Sequence, residues 1–447
     1  MKKSNKIGSE REQVRRFSSF QVSPLREFSK LLHQKQPLRR QAGAGPRRAQ
    51  LHFNNREEES MHKTVIALAI AGMAAAPAFA DSNVTLYGSV DYGFVTRSGK
   101  SGLTGNPSLP KQEFASDITG QNALGFKGAE DIGNGTKVIF ELEAGFLTDN
   151  GTNSLPTINN NGVGTNPGSG PIFRRHSWVG LTGSWGTALG GRVDGARWGV
   201  STRYDPFGGA GVANQSSLQV HAARADNAIA YVTPNVEGLY AVLAYTSQLI
   251  GQEAAGNNAD NRLWVIQPNY VVGPLSVTLN YEHLTNHNGA PDAQSLSGFD
   301  PSPKLNIYVM GASYDFGVAK LMGYWEHLKF DGNAACFKVG GALCNETSWL
   351  VGGVIPITEA DSVKVSYVEY TDHSPLQDSC RKAGIGATHF VSKRTNFFAD
   401  FAAIWQRDKG ACTIYFNGYG SSADDGTGDN RAGVGTRGFD VGIQHRF

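Results

Sequence analysis

His283 and His287 lie four residues apart, a spacing that on one face of a helix would offer two imidazoles to a metal ion. They fall instead at the end of an alternating, strand-like run, with no glutamate between them, and read as loop histidines. Gly433-Val434-Gly435-Thr436-Arg437-Gly438 fits G-x-G-x-x-G, but that fingerprint needs a strand before it and a helix after. Here a polar, loop-like stretch precedes it and a strand-like segment follows. No G-x-S-x-G occurs, and no Ser/His/Asp order points to a nucleophile. Cys336, Cys344, Cys380 and Cys412 contain no C-x-x-C, which argues against zinc. Their even number allows disulfides in an exported chain. One arrangement has Cys336 with Cys344 closing a small loop and Cys380 with Cys412 joining two separate loops, and the connectivity stays open. No cofactor, metal or catalysis is expected. The remaining chemistry is charge, and the elements that position it decide what it does.

The chain has 447 residues, 40% hydrophobic and only 18% charged, with 55 glycines. Tyr and Phe outnumber Trp and Met, a bias toward strands. No apolar run reaches the roughly 18 residues of a spanning helix. Val65 to Ala76 is the one helical hydrophobic stretch. With Lys63 before it and Ala78-Phe79-Ala80 after, residues 61–80 read as a signal peptide, so the mature chain begins at Asp81. Residues 1–60, basic and unpatterned, then precede a signal that belongs at the N-terminus, and translation is expected to start at Met61. Residues 1–80 hold 15 of the 41 basic and 6 of the 39 acidic residues, leaving 26 basic and 33 acidic, net −7. That balance argues against a nucleic-acid partner.

Residues 81–447 consist of short alternating segments. In the first, Val84, Leu86, Val90 and Tyr92 share one face, and Thr85, Ser89 and Asp91 share the other, with Arg97 further along the polar side. Val138, Phe140 and Leu142 oppose Lys137, Glu141 and Glu143 in the same way, and Phe439, Val441, Ile443 and Phe447 oppose Asp440, Gln444 and Arg446. Short connections such as Asp131–Gly135 and Gly273–Pro274 alternate with long polar ones such as 151–171, 285–303, 332–345 and 409–437. That rhythm is the one an outer-membrane barrel shows, with turns on the periplasmic side and loops outside. Sixteen candidate strands lie near 83–97, 121–130, 136–148, 173–182, 186–192, 225–233, 237–248, 261–271, 274–284, 304–315, 318–329, 348–356, 361–371, 384–391, 395–407 and 438–447. The expected fold is all-β: a sixteen-stranded antiparallel transmembrane barrel, wide enough for an aqueous lumen.

Val84-Thr85-Leu86-Tyr87-Gly88, Gly125-Phe126-Lys127-Gly128-Ala129-Glu130-Asp131-Ile132-Gly133-Asn134-Gly135, Trp178-Val179-Gly180-Leu181, Leu189-Gly190-Gly191-Arg192, Asp205-Pro206-Phe207-Gly208, Ser392-Lys393-Arg394-Thr395 and the final Gly442-Ile443-Gln444-His445-Arg446-Phe447 occur in order. Together they resemble the general diffusion porins of Gram-negative bacteria, of the β-proteobacterial type. The resemblance implies a homotrimer in outer-membrane lipid and lipopolysaccharide, folded by the barrel assembly machinery, with Phe447 closing the assembly signal. It implies passive diffusion of small hydrophilic solutes and ions. It also implies a third outer loop, about Val193–Arg224, folded into the lumen. By motif, Arg175 and Arg192 match positive wall positions and Asp205 an opposing carboxylate, with Arg97 and Arg203 joining the constriction and Lys127 and Asp91 lining the pore. Ala123 stands where the family often has arginine, and Arg197, Arg203 and Arg224 make the loop less acidic than the pattern, which points to a mild anion preference. Rivals are a substrate-selective porin, an adhesin or structural barrel, and a barrel enzyme.

Overall fold

The computed structural model describes residues 83–100, 110–120, 122–149, 151, 157–158, 164–165, 172–215, 223–249, 251–253, 261–286, 304–331, 336–338, 342–373, 377–414 and 435–447. The upstream segment 1–60, the signal segment 61–80, His287 and the first glycine of the Gly433–Gly438 run lie outside these residues, as does most of each long connection. Among the described residues no helix is long and apolar enough to cross a membrane. The chain crosses with strands.

In chain order these are β1 (Asn83–Ser98), β2 (Lys111–Ser116), β3 (Ala123–Gly133), β4 (Thr136–Gly145), β5 (His176–Gly183), β6 (Gly186–Asp194), β7 (Arg224–Val232), β8 (Leu239–Thr246), β9 (Asn261–Val272), β10 (Leu275–Asn286), β11 (Lys304–Asp315), β12 (Lys320–Asp331), β13 (Glu346–Pro356), β14 (Asp361–Asp372), β15 (Asp378–Phe390), β16 (Thr395–Asp408) and β17 (Arg437–Arg446). From β3 onward each pairs antiparallel with the next. β17 returns to β1, with Ser89–Ser98 facing Arg437–Arg446. The sheet is a closed antiparallel barrel, sixteen strands around. The seventeenth segment arises because the expected second strand is split. β3 pairs with Asn83–Ser89 and β2 with Tyr92–Arg97, so the two share one place in the wall around an interruption at 117–122.

Asp91 holds that interruption. It was expected to line the pore, but it is buried, and its carboxylate accepts from the amides of Ile118 (3.0 Å) and Thr119 (2.8 Å) and from the Thr119 hydroxyl. Asn122 Oδ1 accepts from the Asp91 amide at 2.6 Å. The freed backbone groups of the broken strand thus find side-chain partners, as buried polar groups must.

Closure is completed at the C-terminus. Gly88 and Phe447 exchange backbone hydrogen bonds of 3.1 and 3.0 Å. The Phe447 ring lies over Gly88, where a Cβ would collide with ring carbons. On the outer surface the apolar residues form a belt: Trp264 and Ile266 are 58% and 54% exposed, while their neighbours Leu263 and Val265 point inward and are buried. The inner face along β3–β6 carries the inward charges Lys127, Glu141, Glu143 and His176 among apolar residues such as Ile139 and Trp178. At the long-loop ends of β9–β12, Leu263, Leu284, Leu305, Ile307, Leu328 and Phe330 turn inward and join the core around the inward-folded segment. This apolar inner surface exists because the inward segment must pack its own apolar side chains against something.

After β6 the chain turns into the barrel as helix α1 (Ala196–Tyr204) and continues through residue 215. Gly311 on β11 makes room for it: a Cβ there would enter the Tyr204 ring. Tyr204 is fully buried, and its hydroxyl lies 2.9 Å from both Ser276 and Thr278. Gly88→Val, which overpacks the seam, is expected to cost about 1–3 kcal/mol and to lower the unfolding midpoint followed by circular dichroism or gel mobility. Gly311→Val is expected to displace Tyr204 and raise open-channel current noise, with a smaller effect on the barrel's melting.

Candidate functional site

The inner wall at the root of the inward segment carries a continuous charged network. Alternation points Tyr87, Glu141, Glu143 and His176 inward, and the antiparallel register brings them together: Glu141 faces Trp178 and Glu143 faces His176 across β4–β5. The Tyr87 hydroxyl donates to Glu141 (2.5 Å) and Glu143 (2.8 Å). His176 Nδ1 lies 2.9 Å from Glu141, and its Nε2 lies 3.0 Å from Asp194. Arg175 Nε donates to Glu143 at 2.5 Å, and Arg224 pairs with Asp194 at 2.7 Å. Glu141, Glu143 and His176 offer ligand atoms within 4.8 Å of one another. Tyr87, Arg175 and His176 already hold those carboxylates, so the donor set reads as an ion-pair band rather than a metal centre.

The segment's far end is fastened to the opposite wall. Asp205 is completely buried, and its carboxylate accepts from the amides of Phe207 (3.0 Å), Gly209 (3.1 Å) and Gln215 (3.0 Å). The Gly211 amide donates to the Ile118 carbonyl at 2.8 Å, so the strand break held by Asp91 receives the loop tip. Val212 donates to Asp440 at 2.6 Å, and Lys382 donates to the Asn214 carbonyl. Lys364 pairs with Asp400 at 3.1 Å and sits 4.7 Å from the centre of the Phe207 ring. Near the root, Arg197 donates its amide to Glu282 (2.9 Å) and reaches Glu326 at 3.5 Å. The segment bridges the lumen rather than hanging into it.

The residues singled out from sequence are therefore spread over distinct environments. Arg175 stands in the wall band. Arg192 is the register partner of Ser177 at an irregularity in the β6–β7 ladder, and it pairs with Asp226. Arg203 is half-buried on α1, its guanidinium 3.1 Å from Asn269 and 3.3 Å from Thr278, both neutral. Lys127 faces inward, 5.1 Å from the centre of the Tyr87 ring. Arg97 is fully buried, paired with Glu113 and 3.5 Å from the Ile414 carbonyl, so it meets no water. Asp205, expected to oppose the arginines across the water, spends its carboxylate on its own loop.

Cys380 and Cys412 form a disulfide. Cys380 is not in a loop, as expected, but in β15, next to inward-facing Lys382. The bond ties the start of the last long connection to the wall, and Ile414 is fully buried inside, with Val212 also against Gly438. Cys336 and Cys344 are register partners in a small ribbon (Cys336–Lys338 with Ala342–Cys344), and their side chains lie outside the described residues. Sequence reasoning missed Tyr87, His176, Asp194, Lys364, Lys382 and Asp400. Alternation marks several as inward-facing, but only the register shows which meet.

Comparison with known proteins agrees with this architecture. The Gram-negative porin family profile matches residues 65–409. Outer membrane porin protein 32 of Delftia acidovorans is 29% identical over 407 residues, covering 87% of this chain and all of the relative. An outer membrane porin protein of Bordetella pertussis is 29% identical over 384 residues, covering 76% of this chain and 93% of the relative. The solved anion-selective porin from Comamonas acidovorans superposes with a TM-score of 0.60 at 26% identity, covering 82% of this chain and all of that one. A match over most of the chain, on a closed sixteen-stranded barrel with an inward segment, places this protein in the family of Gram-negative porins, a multi-pass β-barrel channel of the outer membrane.

Proposed function

We propose that this porin passes small hydrophilic solutes and ions with a mild preference for anions, and that it works as a homotrimer. The observation that carries the anion preference is the setting of Arg203. Its guanidinium stands inside the barrel on the inward segment and bonds neutral side chains, with no carboxylate partner among the described residues. The acids nearest the segment's tip (Asp205, Asp400 and Asp440) are 0–4% exposed and covered by it. An ion in the water path therefore meets a cation whose charge is not cancelled locally. Lys127 adds a second, over the Tyr87 ring, its charge offset in part by Glu141 across the ladder. A constriction with low-dielectric walls strengthens such charges, and charged rings tune selectivity. The solved relative from Comamonas acidovorans is described as anion-selective, in line with this reading. Because Arg175, Arg192 and Arg224 are paired, the preference is mild. The homotrimer is carried over from the family.

In a planar bilayer under a salt gradient, the reversal potential is expected to report anions as more permeant at about 0.1 M salt, and the preference should fade near 1 M, where the Debye length falls to about 3 Å. Arg203→Gln combined with Lys127→Gln should lower the anion-to-cation permeability ratio about twofold or more with little change in conductance. An unshifted reversal potential would remove these two residues from the selectivity mechanism. Sedimentation of the detergent-solubilised protein is expected to give three chains per particle.

A further inference from the structure

After β16 the chain enters its last long connection, but it does not turn to solvent at once. Residues 409–414 lie outside any strand, yet Cys412, Thr413 and Ile414 are 8%, 1% and 0% exposed. Gln406 on β16 holds Cys412 by both backbone groups. Its Nε2 donates to the Cys412 carbonyl at 2.6 Å, and its Oε1 accepts from the Cys412 amide at 3.1 Å. The Ile414 amide donates to the Gly435 carbonyl at 3.0 Å. The disulfide joins this strap to Cys380, fully buried on β15.

The strap lies beside the tip of the inward segment. Register sets Gly384, Ala402 and Gly438 in one row across β15, β16 and β17, a floor of small residues on the inner wall. At Gly438 an added Cβ would stand 2.8 Å from Ile414 and 3.0 Å from Val212, so the two side chains share one hollow. At Gly384 an added Cβ would stand 2.8 Å from Ala213. Lys382 is two residues from Cys380, hence on the same face of β15, and it donates to the Asn214 carbonyl. One end of the disulfide thus sits on a strand that grips the tip. The other end sits on a strap that shares the tip's apolar floor. Side chains packed this closely transmit a displacement to their neighbours.

We propose that the Cys380–Cys412 disulfide is a latch that positions the inward segment. Closed, it holds the strap beside Val212 and keeps the tip seated on the wall. Opened, it lets strap and tip lift from the shared floor. The release of the tip is independent of the channel reading, whereas its effect on current rests on that reading.

The test uses the folded full-length protein in detergent, carrying Cys336→Ser and Cys344→Ser so that one disulfide remains. Dithiothreitol opens it: two electrons and two protons pass to the cysteine pair, and the reagent closes to its own cyclic disulfide. Hydrogen–deuterium exchange, read by mass spectrometry, is expected to run at least tenfold faster over 205–215 after reduction. Exchange over 304–331 should not change, and protection of the tip should return on reoxidation. The variant Cys380→Ser with Cys412→Ser should show the same fast exchange without reagent. In a planar bilayer its open channel should close briefly more often than that of the wild type. Faster exchange over 409–414 with 205–215 still protected would overturn the latch, leaving a bond that serves the strap alone. Faster exchange over 304–331 as well would overturn it too, by assigning the bond to the barrel as a whole. A released tip with an unchanged current record would support the latch and count against the segment's place in the ion path.

Discussion

An amide or carbonyl left unpaired in hydrocarbon costs several kcal/mol, and a sheet with free edges would leave two rows of them. The seventeen wall strands of this protein are arranged around that constraint. The ladder runs without interruption from β3 to β17 and returns to β1, and the terminal Phe447 pairs its backbone with Gly88 at the seam. Where the wall does break, between β2 and β3, the carboxylate of Asp91 and the amide oxygen of Asn122 take up the released backbone groups. The break then becomes useful, because the Ile118 carbonyl it frees holds the tip of the inward segment.

The inward segment faces a related problem from inside. A chain crossing a water-filled lumen has little to pack on, so it is held by two devices. One is steric: Gly311 and Gly352 leave hollows in the wall that receive Tyr204 and Pro206, so a ring and a pyrrolidine seat against bare backbone. The other is polar: Asp205 gathers three amides of its own loop, and Asp440 and Lys382 bind the loop's backbone from the wall. The apolar inner surface at the long-loop end of β9–β12 belongs to the same solution. The inner wall therefore has a packed side, and the ion-pair band runs from Tyr87 on β1 through β4, β5 and β6 to Arg224 on β7, away from the apolar inner surface of β9–β12.

This division separates two kinds of charged residue that look alike in the chain. Arg97, Asp91, Asp205 and Lys382 are buried and serve the architecture. Arg203 is half-buried on the inward segment against neutral side chains, and Lys127 sits over the Tyr87 ring, across the ladder from Glu141. Paired or covered charges contribute little field to the water path, whereas an uncompensated cation on a low-dielectric wall contributes most of it. On the proposed reading, selectivity rests on Arg203 more than on the many paired charges of the barrel interior.

The barrel was legible in the chain because its physics is local: a period of two sets inside against outside, and turn residues mark where strands reverse. Sixteen strands, the closing aromatic and the inward position of residues 195–215 all follow from alternation, connection length and family motifs. What the sequence could not decide is which inward residues touch. A polar residue on a strand reads the same whether it meets water, as Lys127 does, or a broken strand, as Asp91 does. Asp205 sits in the expected motif, but the fold of its own loop, not the motif, turned its carboxylate away from the channel. Cys380 read as a loop residue because β15 extends six residues further than its apolar pattern, to Asp378. These outcomes depend on register and on the path of the inward segment. Both are set by contacts between residues tens to hundreds of positions apart, and only the closed tertiary structure contains them.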